Sequence, residues 1–410
     1  MMLNRWGAIW LAVLCLPAGL ACTSGAGHTV SRSAVSPGSA TTQTAGERVE
    51  NGVTITPHPE KSIHTFSTEG WKTDFSRHTV PYREIGGGGP PKDGIAAIDR
   101  PLFATIVEAS SYLKDDEPIV AVERHAEARA YPLQILLWHE IVNDSSDDEP
   151  FVVTYCPLCN TAIAFKRSFD GRTLDFGTTG NLRRSDLVMY DRQSESWWQQ
   201  ATGEGIAGTY AGRRLEFIPT SILSFGDFKS AYPMGRVLSR ETGFTRDYGR
   251  NPYVAYDQLD ADPLFSFGTL DKRLPPKERV VAVDLDGESV VYPFGALAKQ
   301  RTVNDRVGGH LIVVFYKPGT KSALDAETTG ASRSAGAGVV FDRWLDSREL
   351  TFQADGDHFL DDQTHSTWDI TGRALTGALA GRRLQPIVHT NVFWFAWAAF
   401  RPDVRIFRNP

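Results

Sequence analysis

Residues 151–165 read FVVTYCPLCNTAIAF. Apolar, β-favouring positions run into Cys156, and an alternation of Ala162, Ile163, Ala164 and Phe165 runs out of Cys159. That pattern predicts strand, tight knuckle, strand, with two thiols at the bend. Pro157 pre-sets its own φ, and Asn160 tolerates the left-handed region that a tight turn requires. Similar patterning recurs on either side. Strands are predicted at 119–122 and 280–283, each followed by a turn and a second strand. Short helices follow at 133–138 and 294–299, with Pro132 or Pro293 near the first turn. Turns such as Asp170-Gly171, Asp286-Gly287 and Gly308-Gly309 separate further runs rich in Val, Ile, Phe, Tyr and Trp. The expected class is mainly β with short helices.

The pattern also repeats. From residue 118 the chain reads PIVAVERHAEARAYPLQILLWHEIVNDSSDDEPFVVTYCP, and from residue 279 RVVAVDLDGESVVYPFGALAKQRTVNDRVGGHLIVVFYKP. Tyr131-Pro132, Val142-Asn143-Asp144 and Pro157 meet Tyr292-Pro293, Val303-Asn304-Asp305 and Pro318 at a constant spacing of 161 residues (131 to 292, 142 to 303, 157 to 318). Further on, DRQSESWWQQATGEGIAGTYAGRRL parallels DDQTHSTWDITGRALTGALAGRRL. Ordered agreement of this length implies an internal duplication giving two similar β-rich lobes, 118–240 and 279–410, with pseudo-two-fold symmetry. A leading loop at 66–117 and a connecting, aromatic-rich excursion at 241–278 complete the plan. The Gly86–Gly89 run lacks the spacing of a phosphate-binding loop and reads as surface loop.

Composition changes the picture mainly at the N-terminus. The 410 residues are 41% hydrophobic and 22% charged, with a net charge of −6; there is no basic block to attract nucleic acid. Residues 1–22 read as an export signal: Arg5, a short apolar core, then small residues leading to Cys22. Leu20-Ala21-Cys22 resembles a bacterial lipoprotein box, although Gly19 stands where a larger aliphatic residue is usual. Cys22 is therefore the expected lipid attachment site, and residues 23–65, rich in Ser, Thr, Gly and Ala, the expected flexible tether. The protein is expected to be exported and membrane-anchored, facing the periplasm or the cell exterior.

The duplication serves as an internal control, since chemistry present in one copy only is a candidate for function. Cys156, Cys159 and His139 meet Lys317, Thr320 and Gln300 in the second copy, and Glu140 meets Arg301. Two thiols with an imidazole or thioether suit a soft metal, copper(I) first and zinc(II) second, with Cys156, Cys159 and His139 as ligands and Met189 as an outside candidate. The bland alternatives are a disulfide for the thiols, a satisfied core histidine and a core methionine. A thiol–disulfide oxidoreductase in which Cys156 attacks, Cys159 resolves and His139 assists is a second reading. A non-catalytic binding or scaffold module is a third. Metal donor or acceptor proteins, or a redox partner, would accompany the first two. Asp191, Ser194, Ser196 and Trp198 recur as Asp361, Thr364, Ser366 and Trp368, and recurrence argues for a structural turn. Trp394 and Trp397 read as core, while His389, His78 and Arg77 are weaker candidates for a site.

WHEIVND, TYCPLCNTAIAF, LVMYDRQSESWWQQ, TRDYGRNPYVAY and FWFAWAAF together resemble the bacterial and archaeal family called domain of unknown function 3179. The match runs from about residue 75 to the C-terminus and includes the Cys156–Cys159 knuckle and Trp138-His139-Glu140. The resemblance implies an exported, often lipid-anchored protein and assigns no reaction.

Overall fold

Strand-forming runs dominate the chain, and the fold is mainly β with short helices, as expected. The computed structural model describes residues 47–57, 65–125, 127–265 and 269–408. The export signal, Cys22 and most of the tether lie outside the described residues. Among the described residues the longest helices, Leu133–His139, Phe225–Ala231, Phe294–Gln300 and Trp394–Phe400, have seven residues each. Among the described residues no helix is long and apolar enough to cross a membrane.

The knuckle forms as predicted. Strands Glu149–Cys156 and Thr161–Lys166 pair antiparallel, with Cys156 opposite Thr161. Ile141–Ser146 flanks this hairpin on one side and Phe217–Ile218 on the other. Both faces of the hairpin are buried, so its strands carry near-continuous apolar runs. A second antiparallel sheet contains Phe176–Arg183, Asp186–Asp191, Trp197–Gln199 and Glu204–Ala207. Its first hairpin turns through Arg184 and Ser185, with φ of 54° and 65°. Two-residue turns of this hand usually use Asn-Gly, and a left-handed non-glycine residue costs on the order of 1–2 kcal/mol. The turn sets Ser185 and Asp186 against the knuckle.

The expected tether and leading loop need correction, because both supply strands. Arg48–Glu50 and Val53–Ile55 form a hairpin around Asn51-Gly52, and Val53–Ile55 pairs with Arg77–His78. Ile85–Gly87 pairs with Phe176–Arg183, and Phe103–Thr105 with Arg236–Leu238. The Gly-Pro loop packs tightly against Gly180, whose φ is +74°; a Cβ there would lie 1.9 Å from the Pro90 carbonyl oxygen. Gly180→Ala is expected to cost about 3–4 kcal/mol through overpacking plus backbone strain. Gly52→Ala, at φ +78° with nothing within 4 Å, should cost only about 1–2 kcal/mol. Urea midpoints of the two variants check the contrast.

The matched segments of the two halves fold alike locally. Hairpin, helix and strands follow in the same order from Pro118–Arg124 and from Arg279–Leu285. Both helices stop on a left-handed residue, Glu140 (φ 57°) or Arg301 (φ 64°). Tyr131 donates to Asp144 at 2.5 Å and Tyr292 to Asp305 at 2.7 Å. Hydrophobic packing crosses between the halves. One core joins Val153 and Cys159 to Val280, Val392 and Trp394; another joins Leu223 and Phe225 to Phe315 and Val339. The C-terminal strand His389–Phe393 reaches the knuckle itself, where the Phe393 amide donates to the Cys159 carbonyl at 2.9 Å.

Candidate metal centre

The knuckle turn holds both thiols inward, with Cys156 2% and Cys159 0% exposed, and they are not joined as a disulfide. Cys156 Sγ lies 3.7 Å from the Ser185 carbonyl. Cys159 Sγ donates to Asp186 Oδ1 at 3.0 Å and accepts from the Thr161 hydroxyl at 2.9 Å. Asp186 is itself fully buried and oriented: Gln199 Nε2 and the Ala201 amide donate to its Oδ2 at 2.5 and 2.9 Å. One ligand atom from each of Cys156, Cys159 and Asp186 lies within 4.8 Å of the other two. A metal bonded at about 2.3 Å to sulfur and about 2.0 Å to oxygen would need separations of about 3.5–3.8 Å between them. Separations at or below 4.8 Å, with Cys159 Sγ and Asp186 Oδ1 at 3.0 Å, bracket that range, so only small side-chain adjustments are required.

The ionisable groups that meet at the cluster are all acidic. Burial, with Asp186 and Glu140 adding to it, pushes the Cys156 thiol up. Burial likewise pushes the Cys159 thiol well up, and the Cys156 and Asp186 charges reinforce that. Burial raises Asp186 to about 6, against the lowering effect of its hydrogen bonds. Glu140 is raised to about 8 by burial and then by Asp186. Among the described residues neither carboxylate has an ion-pair partner. Arg183 acts on Asp186 only from a distance, since its guanidinium is paired with Glu84 at 2.7 Å. A reactive thiol needs the opposite setting, with positive charge or a helix N-terminus favouring thiolate. Here Cys156 ends a strand, and a divalent cation is what would satisfy the group.

The weakened acidity of Glu140 has a measurable consequence for the metal-free protein. The folded chain holds the Glu140 proton more tightly than the unfolded chain. Its contribution is therefore complete below about pH 4.5 and is lost as pH rises through about 8. The expected loss is on the order of 4 kcal/mol, and Asp186 acts in the same direction at lower pH. Denaturation midpoints of the metal-free protein should fall from pH 5 to pH 9, and Glu140→Gln should flatten most of that slope.

The sequence-predicted residues divide. Cys156 and Cys159 converge, whereas His139 does not join them. Its Nδ1 is 2.7 Å from the Ala96 carbonyl and its Nε2 2.6 Å from the Tyr248 hydroxyl, so both ring nitrogens are already occupied. Met189 is fully buried in the core; three positions beyond Asp186 on one strand, it points to the opposite face. His389 is bonded to the Ile387 carbonyl, and His78 lies between Val80 and Thr56. The recurring turn is structural: Asp191 and Asp361 each accept from a tryptophan, Trp198 or Trp368, at 2.9 Å. Trp394 and Trp397 are buried core residues.

Sequence reasoning missed Asp186. Aligning the halves on Asp191 and Asp361 sets Asp186 opposite Gly356, so the one-copy-only criterion would have found it. The second half and the connecting segment also close over the knuckle. Tyr256 donates to the Leu158 carbonyl at 2.9 Å, and the phenol of Tyr253 lies within the field of Glu140 and Cys156.

The sequence profile of the family described as protein of unknown function (DUF3179) matches residues 92–404, and the chain belongs to that family. No curated protein and no solved structure matches it.

Proposed function

We propose that this is an exported, lipid-anchored protein that binds one metal ion through Cys156, Cys159 and Asp186. The observation that carries the reading is the convergence of two buried thiols and a buried, oriented carboxylate that has no ion-pair partner among the described residues. Asp186 changes the preferred metal. A hard oxygen donor beside two sulfurs suits zinc(II) better than copper(I), the order opposite to that expected from sulfur and imidazole. Three protein ligands leave a fourth position, with Glu140 and Tyr253 nearby, for water or a substrate. That arrangement supports metal-assisted chemistry ahead of simple metal delivery. The local parallels between the halves support an internal duplication in which the second copy kept the scaffold and serves as a wall for the site. Lipid attachment at Cys22 would hold the protein on a membrane surface, where a metal donor or acceptor protein could meet it.

Cobalt(II) substitution tests the ligand set directly. Wild-type protein titrated with cobalt(II) under anaerobic conditions should develop sulfur-to-cobalt charge-transfer absorption, lost in Cys156→Ser/Cys159→Ser and altered in Asp186→Asn. A spectrum identical to aqueous cobalt(II) would sink the proposal. Two titratable thiols without metal affinity would move attention to the thiol–disulfide reading.

A further inference from the structure

The connecting segment builds a second polar site, around Tyr248, in a cavity of about 410 Å³. His139 fixes its chemistry. With Nδ1–H donated to the Ala96 carbonyl, Nε2 carries a lone pair, so the Tyr248 hydroxyl donates inward to it at 2.6 Å. Thr242 Oγ1 lies 2.5 Å from the same hydroxyl and must then be its donor. The phenol proton is thus committed to the protein interior, and Tyr248 Oη can offer a ligand only an acceptor. His139 is buried, and its counterpart in the second half is Gln300; the arrangement is not part of the recurring scaffold.

Cations without acidic partners line the same cavity. Among the described residues the Arg240 guanidinium makes no ion pair. Gln134 Oε1 accepts from both its Nε and its Nη2, and the guanidinium carbon of Arg240 lies 4.9 Å from the centre of the Tyr112 ring. Gly249, at φ +99°, leaves it room: a Cβ there would stand 3.2 Å from Arg240 Nη2. Among the described residues Lys114 makes no ion pair either, and its ammonium reaches the Gly330 carbonyl at 3.4 Å. The acidic groups of the cavity have their partners within its own wall, none of them Arg240 or the Lys114 ammonium. Glu117 accepts from Thr329, Gln134 and the Lys114 amide, while Asp247 and Glu327 lie 3.9 and 3.6 Å from Arg250. A preorganised, unpaired guanidinium suits an oxyanion.

We propose that this cavity binds a small hydroxylated oxyanion, its anionic group on Arg240 and Lys114 and its hydroxyl donating to Tyr248 Oη. The proposal is independent of whether the thiols hold a metal. Isothermal titration of the full chain with glycerate, propionate and inorganic phosphate tests it. Glycerate should bind about tenfold more tightly than propionate, the worth of one added hydrogen bond. Tyr248→Phe should erase that preference while keeping oxyanion binding, and Arg240→Met should abolish binding of all three. Melting curves establish that each variant is folded, and Tyr248→Phe reads the site independently should Arg240→Met be unstable. Absence of binding by glycerate and phosphate, or a glycerate preference that survives Tyr248→Phe, would overturn the assignment.

Discussion

Purified anaerobically after export, the wild-type chain is expected to carry about one zinc ion per molecule, or copper if that is the metal supplied. Cys156→Ser/Cys159→Ser should carry none, because serine offers no thiolate and the pair supplies two of the three convergent ligands. Asp186→Asn keeps an oxygen at the site but removes its charge and should weaken binding by more than the loss of an outer-shell support, which is about 10–100-fold. Gln199→Leu is such a support variant, since Gln199 Nε2 orients Asp186 at 2.5 Å; it should fall within that range. Met189→Leu and His139→Gln should retain full stoichiometry, the first because its side chain points away from Asp186 and the second because its ring is bonded to Ala96 and Tyr248. Loss of metal in His139→Gln with retention in Asp186→Asn would reverse the ligand assignment. Elemental analysis beside a free-thiol count distinguishes these outcomes.

The parts of this site that could be read from the sequence are those built by neighbours in the chain. The Cys156–Cys159 knuckle is strand, turn and strand within eleven residues of Cys156, and local patterning is enough to place it. Asp186 arrives from another sheet through the left-handed turn at Arg184 and Ser185, and no local pattern shows where that turn points. His139 illustrates a different limit. Its absence from the second half sets it apart from the recurring positions, yet that signal cannot say which partner the ring meets, and the ring meets the Ala96 carbonyl and Tyr248. Glu140 and Arg301 share a left-handed backbone and differ in the side chain they place there: a buried carboxylate near the thiols in one case, a half-buried arginine beside Asp357 in the other. The hairpin at 48–55 was legible in principle: Val49, Val53 and Ile55 surround Asn51-Gly52, a strong hairpin signal, but the Ser- and Thr-rich composition around it obscured it.

Asp191→Ala and Asp361→Ala are expected to destabilise the protein by the same large amount, about 3–5 kcal/mol each. Each aspartate is fully buried and closes the same turn. Asp191 accepts from the Ser194 amide at 2.7 Å and from the Trp198 indole at 2.9 Å. Asp361 accepts from the Thr364 amide at 2.5 Å and from Trp368 at 2.9 Å. The next ring of contacts matches as well: the Tyr210 and Leu379 amides donate to Ser196 Oγ and Ser366 Oγ, both at 3.0 Å. Gly208 and Gly377 leave space for those serines, since a Cβ would stand 2.9 or 2.6 Å from the hydroxyl oxygen. Alanine would orphan a buried indole N–H and a backbone N–H in either half, and the penalty should not depend on which half is cut. Chemical denaturation measures that equality, and metal analysis below the transition gives the second half of the test. If recurrence marks scaffold, both variants keep their metal while folded. If Asp191→Ala alone loses it, the turn serves the thiol site, and recurrence no longer separates scaffold from function.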